Sequence, residues 1–292
     1  MAKRKHQKRS INTGRKAVIN TQIPMGTTML DILIPVHGRF DLLAQCLDAI
    51  PKAAGDTKYR LIIFDNGSPR EEADIFYVQR QDPNLKLFRS EHNLGFPKAC
   101  NIAFNQGSSP LVFFLNSDVI LEPDSLPKLI KEFNDPKIGV VGMKLVFPEY
   151  TDLPQDQHMR PAGKIQHIGL ASNVHGDFIH IFIGWSKDHP KVNAMRDVYA
   201  VTGAALMTRR SLFTKAGKFQ EIYGAGSWED IDFCLTVRKM GYNVIVVPEA
   251  VGVHHTGATA QKYNLGYPLQ ENKLVFMQRW ARELDHTEIN HW

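Results

Sequence analysis

The sequence predicts an α/β protein whose mostly parallel central sheet is flanked by helices. Apolar segments of strand length alternate with segments in which apolar residues recur at helical spacing, a pattern typical of a doubly wound sheet. Residues 111–115 are apolar throughout, as expected of a central strand that is buried on both faces. Four strands in the first half each end in a polar cluster, and the carboxyl ends of parallel strands form the edge where such sheets bind ligands.

The first half of the chain supplies these elements in regular alternation. We predict strands at residues 30–36, 60–64, 85–88, 111–115 and 139–146, with helices at 71–80, from 97 to about 105, and at 124–133. After the first strand, one helical face carries Phe40, Leu43, Leu47 and Ile50, and Pro51 is expected to close that helix.

The second half is less regular. Residues 147–197 are rich in Pro, Gly, Asp and His, with one strand-like stretch at 178–183, and we interpret them as an insertion that helps to form a second site. The remaining predicted elements are strands at 198–208, 244–247 and 250–254, a helix from Ser227 to Met240 that ends at Gly241, and a helix around 271–284.

Composition limits the class of protein. The 292 residues are 43% hydrophobic and 22% charged, which is ordinary for a soluble globular protein. No apolar run reaches the roughly 18–20 residues that span a bilayer. Cys46, Cys100 and Cys234 are far apart and suit a reducing compartment. We therefore expect a cytoplasmic protein.

The basic character of the chain is concentrated at its N-terminus. Residues 1–29 hold seven Lys and Arg and no acid, so that the total net charge of +5 leaves −2 for the remainder. A solvated, flexible tail over residues 1–28 is the simpler interpretation. The alternative is weak contact with an anionic membrane surface at the inner membrane face, or with nucleic acid. The body has no basic-aromatic stripe, so we expect no specific nucleic-acid partner.

The first chemical motif is Asn116-Ser117-Asp118, directly after the apolar strand at 111–115. A hard divalent cation takes oxygen ligands, and Mg²⁺ or Mn²⁺ held by Asp118 would neutralise the charge on a departing diphosphate. The alternative is an Asp that only forms a turn at the strand end. The chain contains neither GxGxxG nor GxxxxGK[ST], so a metal-held diphosphate is the better hypothesis.

The second motif is Trp228-Glu229-Asp230-Ile231-Asp232 at the start of a predicted helix. At about 100° per residue, Asp230 lies within about 60° of Phe233, Cys234 and Val237. It is therefore at the N-terminal end of the helix face that points inward. Asp232 lies about 200° away, and we expect it to be solvated or to support the site without touching the ligand. A carboxylate that points inward is costly without partners or a role, so Asp230 is the candidate general base. The alternative is a capping box with Ser227 as the N-cap.

Three further strand ends contribute polar groups. His254 and His255 close the last strand, and because adjacent strand residues face opposite ways, only one is expected to reach the site. An imidazole beside Asp118 would suit Mn²⁺ better than Mg²⁺. Asp65 opens the turn at 65–68, and a second turn spans 93–96; both end at the same predicted sheet edge, where an Asp can accept from a base or ribose. Pro35 and Val36 could form the floor of that pocket.

Seven segments carry a resemblance to a known family: DILIPVHGR, IIFDNGS, EHNLGFPKACN, VFFLNSDV, GAALMTRR, SWEDIDFCLTVRKMGY and VPEAVGVHHTG. In this order, over roughly residues 30–260, they resemble the family-two glycosyltransferases, and most closely the rhamnosyltransferase-like branch. The resemblance implies a GT-A fold with a Rossmann-like nucleotide-sugar half at 29–146, an acceptor half at 147–260, and a C-terminal helical segment at 261–292. It also implies inverting transfer from a UDP-, dTDP- or GDP-sugar, with Mg²⁺ or Mn²⁺, to a glycan, lipid-linked or other hydroxyl acceptor.

The resemblance also assigns residues, motif by motif. It implies that Asp65, Asn93 and Gly95 contact the nucleotide and that Asp230 is the base. It implies that Asp118 and His254, rather than His255, bind the metal, that Gly203 and Ala204 line the sugar pocket, and that Trp228, Glu229 and Trp185 meet the acceptor. The alternative for either tryptophan is a place in the hydrophobic core. Asn116 stands where the family often has a first Asp, His37-Gly38-Arg39 replaces the more usual Tyr-Asn-Arg, and residues 147–197 match no known segment.

Two other functions stay open from the sequence. A nucleotidyltransferase that makes sugar nucleotides would need a Gly-rich basic loop after the first strand, of which His37-Gly38-Arg39 is a poor version. A non-catalytic sugar- or nucleic-acid-binding protein would act through the basic tail. The oligomeric state is left open.

Overall fold

The computed structural model describes residues 29–80, 85–149, 161–284 and 288–292; the predicted basic tail lies outside them. The strands are β1 (Met29–Val36), β2 (Lys58–Asn66), β3 (Leu85–Ser90), β4 (Leu111–Leu115), β5 (Val119–Leu121), β6 (Ile138–Val146), β7 (Ile165–His167), β8 (Leu170–Ser172), β9 (Phe178–His180), β10 (Arg196–Asp197), β11 (Ala205–Arg209) and β12 (Asn243–His254). The helices are α1 (Phe40–Ala54), α2 (Arg70–Gln79), α3 (Phe96–Asn105), α4 (Ser125–Ile130), α5 (Arg210–Lys215), α6 (Glu229–Lys239), α7 (Ala258–Lys262) and α8 (Leu269–Trp280).

A ten-stranded mixed sheet organises the described part of the chain, in the order β10-β12-β6-β11-β4-β1-β2-β3, with β5 on β12 and β7 on β6. Strands β8 and β9 form a separate two-stranded sheet. Strands β1, β2, β3 and β4 are parallel, as are β6 and β12, whereas β11 runs antiparallel to both β4 and β6. This confirms the predicted α/β class with a mostly parallel sheet. The antiparallel β11 joins the two parallel groups.

The alternation of side chains along the inner strands divides the apolar residues between the two faces of the sheet. Ile32 and Phe113 pack with helix α1 on one face, and Leu33 and Phe114 pack with helices α3 and α6 on the other. All four side chains are fully buried. Both faces are therefore covered, as expected of a central parallel sheet.

A buried acid, Asp31, connects neighbouring segments at the end of the sheet remote from the ligand edge. The sequence did not indicate this role. Asp31, fully buried in β1, accepts hydrogen bonds from the backbone N–H groups of Ser108 and Ser109, both at 2.8 Å. It also accepts from the Ser109 hydroxyl at 2.7 Å and pairs with Arg210 at 2.7 Å. These partners offset the cost of burying the charge.

Several predicted boundaries were wrong for identifiable reasons. Helix α1 continues past Pro51 to Ala54, because a proline in the last turn sacrifices only one intrahelical hydrogen bond. The predicted strands at 244–247 and 250–254 form one strand, β12, with a register shift next to Pro248, which has no N–H to donate.

The predicted helix at 124–133 is α4 followed by a 3₁₀ turn at Lys131–Asn134. The predicted strand at 198–208 begins only at Ala205, and residues 198–204 instead form a loop whose backbone bonds to β12 and β8. Of the predicted insertion, the described residues contain four short strands, β7 to β10, and the strand-like stretch at 178–183 is strand only at β9. None of the helices in the described residues is long and apolar enough to cross a membrane.

Candidate active site

A cleft of about 390 Å³ lies at the carboxyl ends of the central strands. On the side of β1 to β4 it is lined by Pro35, Val36, Asn93 and Asn116, all of which were predicted to bind the donor. The predicted sugar-pocket residues Gly203 and Ala204 line it next to β11. Parallel strands thus present their polar ends to a common edge, as the sequence pattern indicated.

Two of the predicted nucleotide contacts do not line this cleft. Asp65 is fully buried, accepts from the backbone N–H of Ser68 at 2.9 Å, and pairs with Arg89 at 2.8 Å. Gly95 has a φ of +85°, and a Cβ there would lie 1.9 Å from the carbonyl oxygen of Gly224. Both residues therefore stabilise the turns around the cleft. Their direct contact with the nucleotide stays a prediction, and this arrangement does not favour it.

Asn66, which the sequence argument did not single out, lines the cleft in place of Asp65. Its Nδ2 donates to Asn93 Oδ1 at 2.9 Å, and its Oδ1 accepts from the backbone N–H of Leu94 at 2.8 Å. Neighbouring residues in a strand face opposite ways, so the side chain of Asn66 faces the cleft when that of Asp65 is buried away from it. The pair Asn66 and Asn93 links the ends of β2 and β3.

Asp118 and His254 form a buried pair in the cleft wall. Strand β5 pairs with β12 so that Val119 lies opposite His254, which brings Asp118 Oδ1 to 3.4 Å from His254 Nε2. The two residues are only 7% and 5% exposed. His255 does not line the cleft, as the alternation along a strand requires, and burial lowers the pKa of its imidazole.

This pair fits a divalent cation as two of its ligands. Two ligand atoms that each lie about 2.1 Å from a metal are roughly 3.0–3.4 Å apart at ordinary coordination angles. Within the described residues no group of three or more His, Cys, Asp and Glu side chains could hold a metal, so a bound diphosphate and water would have to complete the shell. Asn116 Oδ1, also at the cleft, is buried without a hydrogen-bond partner.

Asp230 lies across the cleft at the start of α6. Its Oδ2 accepts from the backbone N–H of Gly203 at 2.8 Å, and its Oδ1 accepts from the N–H of Ile231 at 2.9 Å. Burial raises the pKa of Asp230, and the two N–H groups offset part of that rise. The carboxylate is held in one orientation while it remains accessible from the cleft.

Glu229 lines the same cleft and is only 4% exposed, with Oε2 lacking any hydrogen-bond partner. Burial first, and then the charge of Asp230, hold the pKa of Glu229 well above its usual range. The pKa of Glu229 is therefore raised further than that of Asp230, so that Asp230 ionises before Glu229 as the pH rises. A neutral Glu229 can donate a hydrogen bond to a ligand oxygen.

The prediction that Asp232 is solvated was wrong. Asp232 is 1% exposed, accepts from the Tyr223 hydroxyl at 2.6 Å, and pairs with Arg279 Nε at 2.7 Å. Helix α8, which carries Arg279, covers the face of α6 that the helical angle left outside. A pattern within α6 alone cannot show that a later helix packs there.

The predicted N-cap was also wrong. The N-cap of α6 is Trp228, without a side-chain cap, and both Ser227 and Trp228 have a φ of +79°. Asn272 Nδ2 in α8 lies 2.9–3.1 Å from the carbonyl oxygens of Tyr223, Gly226 and Ser227, which holds this strained loop in place. Asp230 therefore depends on α8 as well as on its own helix for its position.

Comparison with known proteins identifies the family. Residues 31–213 match the family described as Glycosyl transferase family 2. The chain belongs to this family. Two cleft residues of this glycosyltransferase, Asp230 and His254, lie beyond the matched segment, and the segments that resemble the family extend to them. The predicted family is thereby confirmed.

Individual relatives agree with the predicted branch. The chain is 28% identical over 243 residues to the O-antigen biosynthesis protein RfbC of Myxococcus xanthus, covering 80% of this chain and 18% of that protein. It is 27% identical over 218 residues to the N-acetylglucosaminyl-diphospho-decaprenol L-rhamnosyltransferase of Mycobacterium tuberculosis (strain CDC 1551 / Oshkosh), covering 67% of this chain and 66% of that protein. The chain thus spans less than a fifth of the length of RfbC.

A solved structure shows the fold. The crystal structure of GalNAc-T7 with UDP, GalNAc and Mn²⁺ superposes with a TM-score of 0.67 at 14% identity, over 89% of this chain and 49% of that one. The predicted GT-A fold is confirmed by this likeness.

The two tryptophans predicted to meet the acceptor do not line the glycosyltransferase cleft. Trp228 is 9% exposed and packs against Phe276, with ring centroids 4.8 Å apart. Trp185 is half-exposed and stacks with Phe182 and His189. Their contact with an acceptor stays a prediction, and Trp228 in particular is packed in the hydrophobic core.

The C-terminal segment contributes a wall of the cleft that sequence reasoning missed. Thr259, Leu265, Tyr267 and Leu269 all line it. Tyr267 and Leu269 are 46% and 53% exposed, and large exposed apolar side chains beside a polar cleft indicate contact with a ligand. The helical pattern at 271–284 gave no sign that the residues before it return to the active site.

Proposed function

We propose that this glycosyltransferase moves a sugar from a nucleoside-diphosphate sugar to an acceptor hydroxyl, with a divalent metal and with inversion at the anomeric carbon. The observation that supports this best is that one cleft contains both the buried pair Asp118 and His254 and the ordered carboxylate of Asp230. The first can hold a metal and the diphosphate, and the second can take a proton.

The leaving-group side of the reaction is assigned to Asp118 and His254, which would hold Mn²⁺ or Mg²⁺. The bound metal supplies neutralisation of the negative charge that develops on the leaving diphosphate. The mixed oxygen and nitrogen donors favour Mn²⁺. Asn66, Asn93 and the floor formed by Pro35 and Val36 would receive the nucleoside of a UDP-, dTDP- or GDP-sugar.

The acceptor side is assigned to Asp230. Its carboxylate accepts the proton of the acceptor hydroxyl as the hydroxyl oxygen bonds to the anomeric carbon and the bond from that carbon to the diphosphate breaks. A single displacement of this kind inverts the anomeric configuration. The N–H of Gly203 orients the carboxylate, and the neutral Glu229 donates to a hydroxyl of the sugar or the acceptor.

The acceptor is a glycan, a lipid-linked saccharide or another hydroxyl compound. In this proposal residues 29–146 hold the donor and residues 147–260 hold the acceptor, with Tyr267 and Leu269 from the C-terminal segment beside it. A cytoplasmic location, with weak contact of the basic tail at the inner membrane face, completes the proposal.

The nucleotidyltransferase alternative gains no support from the loop after β1. The only strong cation in that loop, Arg39, makes hydrogen bonds of 2.7–3.2 Å to Asp41 and does not line the cleft. A phosphate-cradling role would require this charge at the cleft.

A thermal-shift screen tests the proposal. UDP-, dTDP- and GDP-sugars are each added with and without Mn²⁺, and one of them is expected to give an additional rise in melting temperature when Mn²⁺ is present, because donor and metal bind the folded state together. The Asp118→Ala variant, which lacks one metal ligand, is expected to lose that shift. If no nucleotide sugar stabilises the protein under any of these conditions, the proposed donor class is refuted.

A further inference from the structure

Gln166, which has no role in the proposed reaction, contacts the proposed metal ligand His254. Its Oε1 lies 3.2 Å from Nδ1 of His254, on the opposite side of the imidazole ring from Asp118. Gln166 and His254 are each 5% exposed. Burying an amide costs free energy unless it is hydrogen-bonded, so the contact with His254 matters to the fold.

The sheet brings these residues together over a separation of 88 positions. Strand β7, which contains Gln166, pairs antiparallel with β6, and β6 pairs in parallel with β12, which ends at His254. His167 pairs with Leu145 and Ile165 pairs with Val146, so Gln166 lies at a register shift between two paired positions of the sheet. The pairs on both sides of Gln166 set its position relative to His254.

The chemistry of the contact determines the tautomer of His254. An amide oxygen can only accept, so the hydrogen that it shares must be on Nδ1. The Thr256 hydroxyl, also 3.2 Å from Nδ1, can accept the same hydrogen. Neutral imidazole has one N–H, so Nε2 then keeps a free lone pair, and Nε2 is the atom that lies 3.4 Å from Asp118 Oδ1.

We propose that Gln166 is a positioning residue that fixes the Nδ1–H tautomer of His254 and thereby leaves Nε2 free to bind the divalent cation. This inference rests on the proposed function in one respect, that His254 Nε2 is a metal ligand.

The tautomer is tested without any metal. Two-bond ¹⁵N–¹H correlation of the His254 side chain, assigned with the His254→Gln variant, is expected to show a protonated Nδ1 and an unprotonated Nε2 in the wild-type protein. In Gln166→Leu the population is expected to shift toward Nε2–H, which can donate to Asp118. A wild-type spectrum with the proton on Nε2 overturns the proposal.

Metal affinity provides the second measurement. Mn²⁺ binding is followed by electron paramagnetic resonance in the presence of the nucleoside diphosphate (UDP, dTDP or GDP) that most stabilises the wild-type protein. Gln166→Leu is expected to raise the Mn²⁺ dissociation constant about 10- to 100-fold, as loss of such outer contacts generally does. Gln166→Glu, measured near pH 8, is expected to restore affinity to within about fivefold of wild type, because a carboxylate also accepts from Nδ1.

Thr208→Val is the matched control. It removes another fully buried side-chain hydrogen bond, from the Thr208 hydroxyl to the Gly139 carbonyl at 2.8 Å, in β11 and outside the cleft. This variant is expected to bind Mn²⁺ like the wild-type protein. A purely structural role for Gln166 would instead make Gln166→Glu worse than Gln166→Leu, because it buries a charge.

The outcomes separate this inference from the proposed function. Unchanged Mn²⁺ affinity in Gln166→Leu, together with lost affinity in His254→Ala, overturns the role of Gln166 and leaves the metal site standing. Wild-type affinity in His254→Ala, or no Mn²⁺ binding by the wild-type protein, overturns the metal site and this inference together.

Discussion

The carboxylate of Asp230 is held by the backbone of Gly203, whose N–H donates to Oδ2 at 2.8 Å across 27 positions of sequence. Gly203 precedes β11, the antiparallel strand that joins the two parallel groups of the sheet. The orientation of the proposed base is therefore set by the central sheet and not only by helix α6.

Asp230→Asn removes the proton acceptor while keeping the shape of the side chain. We expect kcat to fall by about 10²- to 10⁴-fold, the usual contribution of a general base, with the donor dissociation constant within about twofold of wild type. Initial rates and calorimetric donor titration measure the two quantities. Turnover close to wild type would remove Asp230 from the role of base.

The pH dependence of transfer reports the protonation of Asp230. Only the ionised carboxylate can accept a proton, so kcat/KM rises with pH through the pKa of Asp230 and levels off above it. Because burial raises that pKa, the acidic limb is expected at higher pH than the value of about 3.9 of a free Asp. Rates measured from about pH 4 to 8, with recovery of activity after return to neutral pH as the control for unfolding, test this. A flat profile down to about pH 4 would contradict it.

Asp118→Asn tests the metal side of the cleft. We expect the donor dissociation constant measured with Mn²⁺ to rise at least about tenfold, because the variant removes a charged metal ligand. The constant measured with EDTA should not change, since the nucleoside contacts remain. Equal affinity for variant and wild type in the presence of Mn²⁺ would exclude Asp118 from the metal site.

Asp232→Asn distinguishes the buried structural acid from the base. Loss of charge-assisted bonds to Tyr223 and Arg279 should lower the free energy of unfolding by about 1–3 kcal/mol. The folded variant should keep kcat within about threefold of wild type, because Asp232 does not line the cleft. Denaturant unfolding and initial rates give both values. A loss of turnover as severe as that of Asp230→Asn, without loss of stability, would reverse the assignment of the two acids.

The contact between the buried His167 and the partly buried His180 predicts a loss of stability in mild acid. His167 and His180 share a 2.9 Å contact between their Nδ1 atoms, and burial lowers the pKa of His180 to about 4. Between about pH 4 and 6.5 the unfolded chain, with a His pKa near 6.5, binds more protons than the folded chain. The free energy of unfolding is therefore highest above about pH 6.5 and decreases as the pH falls through this range. From pH 7.5 to 5 the loss attributable to His180 is about 2 kcal/mol.

The variant His180→Gln provides the comparison for that loss. Its unfolding free energy should decline less steeply than that of the wild-type protein over the same pH range, since the titrating group is gone. Parallel declines in the two proteins would show that His180 is not the group responsible.

The central features of the site could be predicted because they depend on local pattern. Asp118 follows a strand that is apolar throughout, and a parallel strand must present its carboxyl end to the ligand edge. Asp230 has an apolar helical face beneath it, which fixes its direction inward. In both cases the residues that point the side chain toward the cleft are within a few positions of it in sequence, whereas the contacts of Asp230 with Gly203 and of its loop with α8 come from distant segments.

The features that could not be predicted depend on contacts between distant segments. Asp232 is buried because α8 covers it, and Asp65 is removed from the cleft because Arg89 on the neighbouring strand binds it. Asp31 pairs with Arg210 from the other half of the chain. Nothing in the spacing around these acids indicates which later segment packs against them.

A crystal structure of the wild-type protein with Mn²⁺ and the nucleoside diphosphate selected by the thermal-shift screen would show whether the metal site and the proposed base share one cleft. We expect a metal bonded to Asp118 and to Nε2 of His254, with a diphosphate oxygen also bonded to it and with the carboxylate of Asp230 facing the open side of the same cleft. A metal and diphosphate bound away from Asp118 and His254, or a diphosphate that leaves no path from the anomeric position to Asp230, would contradict it.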